Sequence, residues 1–161
     1  MRRTSTAFLR ICGLAVSLFV CAIFGCTSAT HPPTSFRGIK WGAKTSSVAG
    51  LSQVAVKGDL TLYERSGDRL EMKDIKLTRV IYAFYKDQFY MGMVYFPSDS
   101  FMKMEAVLTG KFGKPAEVDK DPNRLLWDSD YVSVVLMPAG PNQARLVYMY
   151  KPIQLQVELK K

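Results

Sequence analysis

The sequence predicts an α+β domain: an antiparallel sheet packed against one main helix at about residues 99–112. Three observations carry that expectation. Residues 79–85 and 89–96 are two nearly continuous apolar runs joined by Lys86-Asp87-Gln88, the pattern of a hairpin at the centre of a sheet. Phe101, Met104, Leu108 and Phe112 recur at offsets of three, four and four, which is one stripe of a helix. Short apolar runs then return at 125–127, 131–137 and 145–150, so the order is strands, helix, strands.

Taken in order, the domain opens at Phe36. Thr45 or Ser46 can cap one helical turn, and Gly50 can end it in a left-handed conformation. Residues 54–56 and 60–63 have strand character on either side of Lys57-Gly58-Asp59, and 70–77 is a weaker, charged strand. In the central hairpin Val80, Tyr82 and Phe84 face one side, and Ile81, Ala83 and Tyr85 the other. In its partner Phe89, Met91, Met93 and Tyr95 oppose Tyr90, Gly92, Val94 and Phe96. Ser98 and Asp99 supply an acceptor and a negative charge to open the helix, and Gly113 and Pro115 stop it. A turn at residues 138–142 joins the last two of the three later strands. Ile153, Leu155, Val157 and Leu159 alternate with polar residues, which predicts an edge strand or extended tail. The aromatic strand groups on either side of the helix hint at a β-β-α-β-β arrangement, with matches too loose for an internal repeat.

The first 25 residues have a different chemistry. Arg2, Arg3 and Arg10 precede residues 11–25, which carry no charged side chain. A positive end followed by a short apolar core is the pattern of a secretory signal peptide. A permanent span needs about 20 apolar residues, so an uncleaved anchor is the weaker reading. The segment ends Ile23-Phe24-Gly25-Cys26-Thr27-Ser28, which resembles the lipobox of bacterial lipoproteins; Phe24 departs from the small or branched residue usual at its site. That resemblance implies diacylglycerol on the Cys26 thiol, cleavage after Gly25 and acylation of the new N-terminus. Ordinary cleavage after Ala29 is the competing reading. Residues 26–35, rich in Ser, Thr and Pro, then form a lipidated N-terminus and tether, and 36–161 a single periplasmic domain.

Processing changes the composition. The whole chain has 161 residues, a formal charge of +8, three cysteines and one histidine. Without the three leader arginines, 19 basic residues face 14 acidic ones, a side-chain charge of +5. Cys12 and Cys21 leave with the leader, so Cys26 alone remains and no disulfide can form within the domain.

Four blocks carry a second resemblance: Phe36-Arg37-Gly38-Ile39-Lys40-Trp41-Gly42, Phe84-Tyr85-Lys86-Asp87-Gln88-Phe89-Tyr90, Lys111-Phe112-Gly113-Lys114-Pro115 and Tyr150-Lys151-Pro152-Ile153. In order and spacing they are similar to a family of small bacterial envelope proteins and lipoproteins. The resemblance covers the mature domain and implies a shared fold and compartment, with no reaction, ligand or catalytic residue to carry over.

The inventory of reactive groups points away from catalysis. A Ser-His-Asp arrangement would need His31, which lies in the tether, and no Cys/His cluster offers zinc ligands. No phosphate-binding glycine loop is present. Asp119-Lys120-Asp121-Pro122-Asn123 with Asp130 at the twelfth position has calcium-loop spacing, but Arg124 stands where that loop needs Gly. Glu64, Glu71, Asp128 and Asp130 are scattered among Lys and Arg, as outward strand positions are. The expectation is therefore no cofactor, no metal and no enzyme. The basic residues are spread without an Arg-rich block, which argues against nucleic acid.

The richest feature is the density of tyrosine, phenylalanine and methionine. Core packing accounts for most of it. The sharper expectation is that one sheet face, under-covered by a single helix, binds a partner or an apolar ligand, with Tyr85, Tyr90, Tyr148 and Tyr150 at its surface. The sequence thus predicts a non-enzymatic envelope lipoprotein with a binding or structural role. It contacts membrane lipid through Cys26, and an envelope protein is its candidate partner. Thr27 after the cysteine favours the outer over the inner membrane, by resemblance to lipoprotein sorting. The alternative is a small periplasmic carrier of an apolar ligand on an aromatic sheet face; a hydrolase comes third.

Overall fold

The computed structural model describes residues 32–119 and 123–159. The segments read as leader and tether through His31, Cys26 among them, residues 120–122 of the stretch with calcium-loop spacing, and residues 160–161 lie outside the described residues. The described strands are β1 (Ser35–Phe36), β2 (Ile39–Lys40), β3 (Leu51–Lys57), β4 (Leu60–Arg65), β5 (Glu71–Met72), β6 (Ile75–Lys76), β7 (Arg79–Tyr85), β8 (Gln88–Pro97), β9 (Glu117–Asp119), β10 (Arg124–Asp128), β11 (Val132–Gly140) and β12 (Gln143–Tyr150). Helix α1 (Phe101–Phe112) follows β8, and α2 (Lys151–Glu158) follows β12.

Eight of these strands form one antiparallel sheet in the order β3-β4-β7-β8-β12-β11-β10-β9, flanked by the small hairpins β1-β2 and β5-β6. Each half is four strands followed by a helix, and the halves meet where β8 pairs with β12. The connectivity repeats, but the two helices cover opposite faces of the sheet.

The central hairpin forms as expected. Lys86 and Asp87 both take positive φ (47° and 63°), the two-residue turn that matches the twist of the flanking strands. Val80, Tyr82 and Phe84 enter one core cluster and Ile81, Ala83 and Tyr85 the other side. The alternation expected in β8 fails at its start. Ala83 pairs with Met91 and Phe84 with Phe89, so Tyr90 is an extra residue. This β-bulge turns Phe89 to the opposite face from Met91, Met93 and Tyr95.

Helix α1 begins at Phe101, after a 3₁₀ turn at Ser98–Ser100, and no side chain caps it. Phe101, Met104 and Leu108 are buried, and Phe112 packs against the same cluster. Gly113 ends the helix at φ 81°. At Thr45–Ser47 the turn is 3₁₀, and Thr45 does not cap it. Asp87 instead accepts hydrogen bonds from the Thr45 backbone N–H (3.1 Å) and hydroxyl (2.5 Å). Those bonds hold the Asp87 carboxyl below the usual carboxylate range.

The C-terminal segment corrects the sequence reading, because it is the helix α2 and not a strand or extended tail. Ile153 and Val157, four residues apart, share one helical face and pack on Ala83, Tyr85 and Tyr90. Leu155 and Leu159, 59% and 87% exposed, point away. Pro152 in the first turn supplies a φ already set for the helix.

Candidate interaction face

The two faces of the sheet are built from alternate residues of the same strands. On the α1 side, Val80, Tyr82, Phe84, Phe89, Val94, Phe96, Val134, Leu136, Leu146 and Tyr148 join Phe101, Met104 and Leu108 in one buried cluster. Aromatic rings run through it: Phe36 meets Tyr82 edge-on at 5.7 Å and Tyr148 at 5.4 Å, and Tyr63 meets Phe84 edge-on at 5.3 Å. Trp41 stacks between Phe89 (5.1 Å) and Tyr150 (6.0 Å). The Trp41 Nε1–H donates to the Pro33 carbonyl at 2.7 Å, so the chain entering the domain is held on this side. Gly92 is needed in β8 because any Cβ there would overlap the Phe36 ring.

At the rim of this side, the Asp68 carboxylate is buried, with 5% of its side chain exposed. It accepts two bonds from the Arg65 guanidinium (2.8 and 2.6 Å) and one from the Tyr82 hydroxyl at 2.6 Å. The Arg37 Nε lies 3.9 Å from the same carboxylate. The Arg37 guanidinium also donates to the Arg69 carbonyl. Burial, reinforced by the bond to Asp68, pushes the Tyr82 phenol well above its ordinary range. Three residues of the segment 36–42 thus have packing roles: Phe36 fills the space over Gly92, Arg37 joins Asp68, and Trp41 enters the stack.

The other face carries methionine. Ile81, Met93, Val135 and Val147 form its buried centre, and the half-buried Leu62, Met91, Tyr95, Leu126, Met137 and Met149 surround them. Helix α2 covers the end at Ala83, Tyr85 and Tyr90, and Leu62 and Met91 pack against that end as well. One row across the opposite end runs Arg79 on β7, Tyr95 on β8, Arg145 on β12 and Met137 on β11. On β10, Arg124 belongs to the same side as Leu126. Arg79 pairs with Glu64 at 2.5 Å. The Arg145 Nε is buried without a hydrogen-bond partner.

Three of the four tyrosines expected at the surface are buried. Tyr85, Tyr90 and Tyr148 are buried, at 5%, 5% and 6% exposure, and Tyr150 is half-buried against Trp41. Tyr148 belongs to the α1 side, while Tyr85 and Tyr90 lie under α2 and meet edge-on at 6.5 Å. They form no common surface, so that expectation is corrected. Burial raises the Tyr148 phenol strongly, and burial with the neighbouring Tyr85 raises Tyr90. The half-buried part of the apolar face consists of methionines with Leu62, Leu126 and Tyr95. The signal was present in the alternation Arg145-x-Val147-x-Met149.

Three of the four carboxylates weighed from the sequence are engaged by cations. Glu64 pairs with Arg79, Glu71 with Arg69 at 3.0 Å, and Asp128 with Lys151 at 2.7 Å. Asp128 also accepts from the Ser133 hydroxyl at 2.7 Å. Partial burial opposes its ionisation, and the bonds from Lys151 and Ser133 outweigh that and hold its carboxyl low. Among the described residues no group of three metal-ligating side chains comes together, and no helix is long and apolar enough to cross a membrane. A depression lined by Pro32, Pro33, Phe112 and Trp127 encloses about 80 Å³. A broader groove of about 590 Å³ lies beside Lys40, Ser47, Arg65 and Ser66. Neither touches the methionine face.

Comparison with protein-family models, curated proteins and solved structures finds no match to this chain.

Proposed function

We propose that the chain is an envelope lipoprotein, anchored through Cys26 and non-enzymatic, whose domain binds another envelope protein through the methionine face. The observation that carries this reading is that face itself. Its centre is buried by its own neighbours, and α2 covers one end only. Methionine side chains adapt to a partner's contour, and an apolar area rimmed by Arg and Tyr has the composition of a protein interface. The alternative, a carrier of a small apolar ligand, is less well supported. Such ligands are held in concave sites of about 300–1,000 Å³ that enclose most of their surface, and neither depression described above touches this face. The lipobox resemblance supports the anchor, and Thr27 favours the outer membrane.

Two measurements test the reading. Palmitate should label the wild type and not Cys26→Ala; equal labelling of both removes the anchor. Peroxide should oxidise Met91, Met137 and Met149 more slowly in native envelopes than in the purified protein. Equal oxidation would mean that nothing occupies the face.

A further inference from the structure

A third cavity, of about 110 Å³, lies on the α1 side and is lined by Ser35, Phe36, Arg37, Met72, Lys111 and Tyr148. Its polar side chains are two cations and two hydroxyls, and among the described residues no carboxylate lines it. Tyr148 on β12 is 6% exposed, and burial alone raises its phenol, so the hydroxyl stays protonated and can donate. Among the described residues neither that hydroxyl nor the one of Ser35 makes a hydrogen bond, and neither is sealed in as the Tyr85 hydroxyl is.

The two cations are short of negative charge. Arg37 and Arg65 share the single Asp68 carboxylate. The Arg37 Nη2 donates to the Arg69 carbonyl and its Nε faces Asp68 from 3.9 Å, which leaves Nη1 with no acceptor among the described residues. Unlike the buried Nε, Nη1 is not closed off from solvent. Lys111, in the last turn of α1, is exposed and forms no ion pair among the described residues. Its Nζ lies 4.9 Å from the centre of the Phe112 ring, which in turn meets Tyr148 at 6.4 Å. Phe36 and Met72 make part of the wall apolar, where an anion's hydrogen bonds are stronger than in water.

We propose that this cavity binds one phosphate group, held by Arg37 and Lys111 with the Ser35 and Tyr148 hydroxyls as further donors. The donors come from the β1-β2 hairpin, α1 and β12, so they surround the space rather than lie in one plane. A tetrahedral oxyanion accepts from several sides, whereas a carboxylate presents two oxygens in a plane. Larger organic ligands need about 300–1,000 Å³. The phosphate therefore enters as the free ion or as one group of a molecule whose remainder stays outside, such as a phospholipid headgroup.

The test is calorimetric titration of the full chain in detergent micelles at fixed ionic strength. Three probes are used: inorganic phosphate, the headgroup diester glycerophosphoglycerol, and acetate. At least one phosphate probe should bind with Kd below about 1 mM, and at least about tenfold more tightly than acetate. Lys111→Gln and Tyr148→Phe should each weaken that binding about tenfold, the loss of one hydrogen bond to a charged group. Lys57→Gln, an exposed charge on the edge strand β3, should leave it unchanged. Without phosphate, Tyr148→Phe should melt no lower than wild type, because the hydroxyl it lacks has no internal partner. Phosphate should then raise the melting temperature of the wild type more than that of the variant. Binding of the ion and not the diester supports the site with free phosphate as its ligand, and binding of the diester supports it with a headgroup. No binding of either phosphate probe, equal binding of acetate, or affinity unchanged in both Lys111→Gln and Tyr148→Phe overturns the proposal.

Discussion

The sheet presents two apolar faces made from alternate residues of the same strands, yet they are packed in different ways. The α1 side is filled by phenylalanine, tyrosine and tryptophan rings held in edge-on and stacked contacts, closed by α1, by the β1-β2 hairpin and by Phe36 over Gly92. The opposite side uses methionine and aliphatic residues, and α2 closes only one end of it. Rigid rings that interlock hold a face in one arrangement. Thioethers with several rotatable bonds tolerate more than one arrangement, which suits a surface that must accommodate something from outside. The contrast separates what holds this domain together from what it has available for binding.

The largest expected effect lies at the rim of the aromatic side. Asp68→Asn removes the charge that Arg65 and Arg37 surround, leaving two guanidinium groups beside a buried amide. It should cost about 4 kcal/mol, since breaking a buried pair strands its partner. Urea denaturation checks this, and a loss below about 1 kcal/mol would reclassify the knot as a solvated surface pair.

Methionine itself offers a direct comparison of the faces. Met104 on α1 is fully buried, Met93 at the centre of the other face is 9% exposed, and Met137 is half-buried. Truncation to Ala should cost about 3 kcal/mol at Met104, about 2 at Met93 and under about 1 at Met137. Equal losses at all three would show that the methionine face is packed as tightly as the other. Gly92→Ala should cost about 2 kcal/mol because the Phe36 ring must move. Adding Phe36→Ala should recover part of that loss in a double-mutant cycle, because the clash is with that ring. Strict additivity would place the strain elsewhere.

Much of this contrast was legible in the sequence. The assignment of Val80, Tyr82 and Phe84 to one side and Ile81, Ala83 and Tyr85 to the other needs only the period of a strand. The stripe of α1 needs only the period of a helix. Three features needed information that periodicity lacks. The bulge at Tyr90 reverses the facing of Phe89, and nothing in a fully apolar run marks where an extra residue falls. Ile153 and Val157 are spaced by four, a spacing that both a strand and a helix place on one face. The tyrosines were assigned to the surface for their amphipathic chemistry. Burial depends on where α2 and the β1-β2 hairpin dock, and those contacts are long-range.

The smallest expected effect concerns the partial cover on the methionine face. Lys151, the first residue of α2, is held by the Asp128 carboxylate at 2.7 Å, and its N–H donates to the Tyr131 carbonyl at 2.9 Å. The Asp128 side chain is 41% exposed, so Asp128→Asn should cost only about 0.5 kcal/mol of global stability. The folded carboxyl is held low, so its contribution is present above the ordinary aspartate range and is lost as pH falls through the lowered folded value. Acidification of the wild type and the Asn variant at neutral pH should therefore act alike. In hydrogen exchange, amides of α2 should exchange faster while those of α1 stay unchanged, because α1 is fixed by Phe101, Met104 and Leu108 and not by this pair. Faster exchange in both helices would mean that the two faces are coupled through the sheet. Faster exchange in α2 alone would identify it as a separately loosened cover over one end of the methionine face.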